Sequence, residues 1–245
     1  KMYEYNVHAV LDYSVEGQEA ENQFDLALEK TLQNINFAKE KESIPFAVFK
    51  PTGFGRFSLY QKVGEGRSLT EQEQINWNNV IDRFDVACKW ARDKDVCLLI
   101  DAEESWMQDA ADDLIESMME KYNTEKAIVY NTLQMYRWDR LDYLKALHKR
   151  AQEKGYKIGM KMVRGAYMEK ERDRANEKGY PSPICADKKA TDENYDAGID
   201  YMLTGHGLSL YAGTHNELST YRVMQFAEEK GLTKDNKTIW FGQLY

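Results

Sequence analysis

Short runs of apolar residues alternate along the chain with longer stretches whose apolar side chains recur every three or four positions. Residues 7–13 (VHAVLDY), 46–50 (FAVFK), 96–101 (VCLLID), 127–131 (AIVYN), 157–163, 208–212 (LSLYA) and 238–244 (TIWFGQL) are short, apolar and rich in β-formers, and predict seven strands. Between the first two, 18–41 sets Phe24, Leu28, Leu32 and Ile35 at helical spacing. Segments 70–92, 108–122, 139–154, 191–204 and 217–229 also read as helices, with Leu114, Ile115, Met118 and Met119 turned inward from the second. Ser68 or Thr70 is placed to cap the helix at 70–92, and Gly155 to close the one at 139–154. The stretch 51–66, with four glycines, reads as a loop.

A strand–helix alternation of this kind implies an α/β protein with a parallel sheet and helical crossovers. The strands are near-continuous apolar runs, as expected when both faces are covered. A doubly wound open sheet and a (β/α)8 TIM-type barrel both fit. The barrel is favoured because polar residues cluster at the C-terminal end of nearly every strand: Asp12, Lys50, Asp101, Gln134, Lys161 with Arg164, Thr214 with His215, and Gln243. Barrels assemble their sites from many strand ends, whereas an open sheet concentrates its site at one switch point. Seven strands are read where a closed barrel has eight. The chain also opens on Lys1 and stops at Tyr245 after an apolar run. The expectation is a single barrel domain over 1–245, incomplete at both ends, with the eighth strand and final helix outside the chain.

Composition narrows the classes. The 245 residues are 42% apolar, enough for a sizeable core, and a net charge of -8 argues against non-specific nucleic-acid binding. Three cysteines make a disulfide scaffold improbable and suit a reducing compartment. No apolar run approaches the length of a membrane span, and no signal-peptide pattern opens the chain. Four histidines without metal-ligand spacing give no metal site, and His148, in a helix with a basic end, is expected in solvent.

Asp101, directly after VCLLI, emerges from the core. Locally it reads either as a helix cap or as a group that orders a cationic neighbour or bonds a cofactor. Lys50, at the end of FAVF, could form a Schiff base, clamp an anion or pair with Asp101. In 161–167 (KMVRGAY) the alternation of a strand points Lys161 and Val163 to one face, and Met162 and Arg164 to the other. Gly165 and Ala166 then strip bulk so that a ligand can approach the backbone, and Tyr167 adds a flat ring. That set suits a large, anionic, planar cofactor. Thr214 could cap the helix after the sixth strand, whose free N–H groups could meet a phosphate, with His215 beside it. Gln134 could read an amide-like edge, such as the pyrimidine of a flavin.

Together LDYSVEG at 11–17, Lys50, DAEES at 101–105, NTLQMYR at 131–137, KMVRGAYMEKER at 161–172, ATDENY at 190–195, GTHN at 213–216 and FGQLY at 241–245 resemble the proline dehydrogenases, and the monofunctional branch more than the fused one. The resemblance implies a (β/α)8 barrel holding FAD at its C-terminal mouth. It implies oxidation of L-proline to 1-pyrroline-5-carboxylate, by hydride transfer to the flavin N5, as the first step of proline catabolism. By analogy, Lys161 is the cation beside N5, and Asp101 orders the site near the substrate-facing Lys50. Gln134 meets the pyrimidine. Ala102, Arg164, Gly165 and Ala166 line the cofactor, with Thr214 and His215 nearer its far half. Tyr167 and Leu244 pack on the substrate ring. The base that takes the amine proton is not named by the resemblance.

In the family a pair of arginines on a helix after the eighth strand holds the substrate carboxylate, and no segment here matches it. The usual electron acceptor is a membrane quinone. It implies a cytoplasmic protein with peripheral contact to the inner membrane (mitochondrial in a eukaryote), although no basic amphipathic helix here supports that contact. Three alternatives stay open: a hydroxyproline dehydrogenase, a Schiff-base lyase using Lys50 or Lys161 as nucleophile, and a barrel fragment that binds flavin without turning over.

Overall fold

A computed structural model of the chain describes residues 3–12 and 17–244, and of residues 11 and 12 the backbone only. Of the residues singled out above, 13–16 of the LDYSVEG segment, Tyr245 and the Asp12 side chain lie outside that description. The strands follow one another in sequence order, and each pairing described is parallel. This is the α/β architecture that the strand–helix rhythm implies. The chain divides into two compact units, Lys1–Asn131 and Thr132–Tyr245.

The first unit contains β1 (Val10–Asp12), α1 (Glu21–Lys39), β2 (Phe46–Phe49), α2 (Phe57–Gly64), α3 (Glu71–Lys94), β3 (Cys97–Ile100), α4 (Ser105–Tyr122) and the start of β4 (Val129–Gln134). Every residue of β2 is buried, as a parallel strand covered on both faces requires. Phe49 stacks on Phe54 at 4.3 Å, and Phe84 of α3 meets both edge-on. Beside this cluster the buried Arg83 donates to the Phe54 carbonyl and to the carboxylates of Glu21 and Asp25, joining α3 to α1. Thr70 caps α3 as expected. Its hydroxyl accepts from Glu73 N–H and its N–H donates back to Glu73, whose carboxyl Lys62 holds down to about 2.

Residues 51–66 are not a loop throughout. Pro51–Gly53 is a 3-10 turn and α2 follows, burying Leu59 and Tyr60. The glycines that suggested a loop have other reasons. A Cβ on Gly55 would collide with Val80 of α3, and Gly64 merely ends α2.

The second unit contains the end of β4, α5 (Arg140–Lys154), β5 (Ile158–Val163), α6 (Met168–Lys178), α7 (Lys188–Thr204), β6 (Leu208–Gly213), α8 (Glu217–Glu229) and β7 (Ile239–Gly242). The sequence pattern gives no sign of α6. Its sequence MEKERDRANEK buries only Glu171 and Ala175, so no apolar stripe exists to reveal it. His148 is not in solvent. It is buried, its Nδ1 lies 2.9 Å from the Tyr201 hydroxyl, and its Nε2 lies 2.9 Å from the His206 carbonyl oxygen, tying α5 to α7. The basic residues around it mask its place on the inward stripe of Leu144, Leu147 and Ala151. Among the described residues no helix is long and apolar enough to cross a membrane.

Candidate functional site

In the first unit the register aligns Phe49 with Ile100, so Lys50 and Asp101 are the next residues on adjacent parallel strands. The Asp101 N–H donates to the Phe49 carbonyl at 3.0 Å. Asp101 is not the cap of α4; Glu104 holds that position. The residues between, Ala102 and Glu103, are buried. Glu103 is only 3% exposed, and its two carboxylate oxygens accept from the Thr52 N–H at 2.9 Å and the Thr52 hydroxyl at 2.7 Å. Its own N–H donates to Gln108 Oε1; Gln108 Nε2 and Asn131 Nδ2 both donate to Asp112 Oδ1. This buried polar chain connects the ends of β2 and β3 with α4 and β4. Burial pushes the Glu103 carboxyl up to about 7, against the opposing pull of Thr52 and of the Lys50 charge. Glu103, Thr52 and Gln108 escape the sequence reading, although Glu103 stands inside the quoted DAEES segment.

In the second unit Met160 and Met162 are fully buried. A Cβ on Gly198 of α7 would fall 2.5 Å from the Met162 methyl, so the methionines face the helices. Lys161 and Val163 take the other face and stay half-buried, as the alternation implies. Lys161 runs beside Gly213 of β6, where an added Cβ would lie 4.0 Å from the lysine Cε.

Arg164 turns to the helix side, as expected. Its Nε donates to Asp192 at 2.6 Å, its Nη1 to the Thr214 hydroxyl at 2.8 Å and its Nη2 to Ser219 at 3.1 Å, and the guanidinium lies 4.3 Å from the Tyr195 ring centroid. Lys188 and Arg164 together hold the Asp192 carboxyl below its ordinary value. Thr214 does not cap α8; Asn216 does, accepting from the Ser219 N–H, while Thr214 accepts from Arg164 and from the Asn216 N–H.

Gly165 and Ala166 are exposed at the end of β5. Gly165 has φ +143, and the place of its missing Cβ lies 2.5 Å from Tyr136 Cγ, so a ring of the protein itself lies on that side. The Ala166 N–H donates to Gln134 Oε1 at 2.9 Å, which joins the end of β4 to the turn after β5. Gln134 is buried, with its oxygen on this backbone group. Tyr167 holds the N-cap position of α6. His215 is exposed and its Nε2 lies 2.9 Å from the Leu244 carbonyl oxygen; the Leu244 side chain is 88% exposed. Lys50 and Asp101 thus meet in the first unit, and Gln134, Lys161, Arg164, Gly165, Ala166 and Thr214 gather in the second, each at the C-terminal end of its strand.

The profile of the family described as "Proline dehydrogenase" matches residues 1–245. The carbapenem antibiotics biosynthesis protein CarD of Pectobacterium carotovorum subsp. carotovorum is 36% identical over 241 residues, covering 98% of this chain and 61% of the relative. Proline dehydrogenase 1, mitochondrial, of Homo sapiens is 35% identical over 180 residues, covering 72% of this chain and 30% of the relative. The chain therefore spans less than two thirds of these curated relatives. Among solved structures, proline utilization A (PutA) from Bdellovibrio bacteriovorus, inactivated by N-propargylglycine, superposes with a TM-score of 0.81 at 17% identity, over 100% of this chain and 26% of that one. That likeness is one of fold. With its whole length matched by the family profile, the chain belongs to the proline dehydrogenase family.

Proposed function

We propose that this chain is the catalytic portion of a flavin-dependent proline dehydrogenase, oxidising L-proline to 1-pyrroline-5-carboxylate. The observation that carries the reading is the family match over all 245 residues, combined with cations at the open strand ends of the second unit. The residues there fit an anionic, planar cofactor such as FAD. Lys161 and Arg164 bring two cations to the end of β5, and Gly165 and Ala166 leave exposed backbone beside them. Arg164, anchored by Asp192, Thr214 and Ser219, is preorganised rather than free to wander.

A bound flavin supplies the acceptor for the hydride that leaves carbon 5 of proline. In this reading Lys161 stabilises the negative charge that develops beside it, from a fixed position on the non-helical face of β5. Arg164, Gly165, Ala166, Thr214 and His215 hold the cofactor, with Ala102 and Gln134. Gln134 acts by fixing the Ala166 backbone. Lys50, Tyr167 and Leu244 meet the substrate, and Asp101 orders Lys50. As carbon 5 loses hydride, the substrate amine gives up one proton and its lone pair forms the C=N bond. A quinone is the electron acceptor, reached from the periphery of the inner membrane.

The test is spectroscopic. The purified chain, incubated with FAD and freed of excess, is mixed with L-proline without oxygen. Retained flavin bands that bleach with proline support the reading. Retained bands that hydroxyproline bleaches and proline does not move the substrate to the hydroxylated ring. A colourless protein in which borohydride traps a carbonyl compound on Lys50 or Lys161 overturns it in favour of Schiff-base chemistry.

A further inference from the structure

Glu103 is a buried carboxyl that the proposed chemistry does not use. It is held two residues from Lys50 along the chain through both donors of Thr52. Its environment accommodates both of its protonation states. When ionised, it accepts from the Thr52 N–H and hydroxyl. When protonated, one oxygen keeps the N–H and the other donates to the Thr52 hydroxyl, which rotates without moving a heavy atom. The backbone on either side is fixed: Gln108 accepts from the Glu103 N–H, and the Tyr60 hydroxyl donates to the Pro51 carbonyl at 2.7 Å.

We propose that Glu103 is a positioning residue for proline oxidation: it fixes the Lys50–Thr52 segment and, by gaining or losing a proton, sets the charge that the substrate amine meets at the ends of β2 and β3. This rests on the proposed function, because it needs an amine substrate at Lys50. The groups that act on Glu103 come from each neighbouring segment. Thr52 and the positive Lys50 favour its ionised form, and Glu104 beside it opposes that form. From α2, Tyr60 feels the Glu103 charge, and Arg83 of α3 counteracts that effect on Tyr60. From α4, Gln108 joins Glu103 to Asp112. Burial is the largest influence and moves the carboxyl to about 7, so the charge at this position changes near neutral pH.

The first arm of the test needs no flavin. The chain is labelled with 13C at glutamate carboxyls, and Glu103→Gln assigns the signal by its disappearance. The Glu103 signal is expected to titrate near 7, and Lys50→Met should move the midpoint upward, since it removes a charge that favours the ionised form. A midpoint in the ordinary glutamate range, or one indifferent to Lys50→Met, overturns the proposal. The second arm follows flavin reduction by proline across pH in the loaded chain. The native profile should carry an inflection at the same midpoint, and Glu103→Gln, which keeps the size and can still accept from Thr52, should lack it. An inflection retained in Glu103→Gln overturns the proposal. If the native chain binds flavin and proline never reduces it, the functional reading fails on its own, while the carboxyl titration still decides whether Glu103 and Lys50 are coupled.

Discussion

The aromatic ring of Tyr136 fills the space in which any side chain on Gly165 would stand. The two residues lie on different connections, after β4 and after β5, and the Tyr136 N–H donates to the Arg164 carbonyl at 2.6 Å. The positive φ of Gly165 and this close approach act together, so glycine is required here before any ligand is considered.

Gly165→Ala should therefore destabilise the second unit, by roughly 2–4 kcal/mol from strain and overpacking combined. Urea unfolding measures it. Combining Gly165→Ala with Tyr136→Ala relieves the collision and leaves the strain, so the double variant should lose less than the sum of the single ones. Simple additivity would show that the ring gives way freely.

Stability should also depend on pH through Glu103. Its folded value, about 7, lies above the 4.5 of an unperturbed glutamate, so the folded state binds the proton more tightly. The associated stability is fully present below about 4.5 and is lost as pH rises through about 7. Between pH 5 and pH 8 this amounts to about 2–3 kcal/mol for the native chain. Glu103→Gln should remove that dependence, so chemical denaturation at the two pH values should show a smaller difference in the variant. Equal differences would mean that Glu103 titrates normally.

Lys161→Met keeps the stem of the side chain and removes the charge. The fold should persist, because the lysine is half-buried on the face away from α7. Flavin reduction by proline should slow by about 10²–10³-fold, the usual loss on removing one preorganised electrostatic group. Unchanged single-turnover rates would reduce Lys161 to a structural cation.

Arg164→Lys preserves charge but gives up the fork that engages Asp192, Thr214 and Ser219 together. Flavin affinity, followed by quenching of its fluorescence, should fall by about tenfold to a hundredfold, the equivalent of one or two charge-assisted hydrogen bonds. Unaltered affinity would confine Arg164 to fastening β5 against α7 and α8.

The elements most legible in the sequence are those that bury a continuous apolar pattern. FAVF and CLLI are strands within a residue of the expected bounds, and α8 runs over Glu217–Glu229 as read. The opposite faces of Lys161 and Met162 were legible too, because alternation along a strand is a local rule. α2 and α6 were not: glycines at the ends of one, and the nearly all-polar surface of the other, leave no periodic signal. His148 reads as solvated from its neighbours alone because its partners lie 53 and 58 positions away. The bond from Thr52 to Glu103 spans 51 positions, so the burial that defines Glu103 cannot be read from the residues beside it.

The polar helix α6 has a kinetic consequence. It is eleven residues long, contributes only Glu171 and Ala175 to the interior, and is bounded by Tyr167 and by Gly179 at φ +72. A helix this short is marginal on its own, and little apolar surface holds it down. Its amide hydrogens should therefore exchange with solvent through local opening, far faster than those of β5 and β6, whose side chains are largely buried. The residues immediately before it, Gly165 and Ala166, are anchored by Tyr136 and Gln134, so the opening should stop at Tyr167 and leave the end of β5 in place.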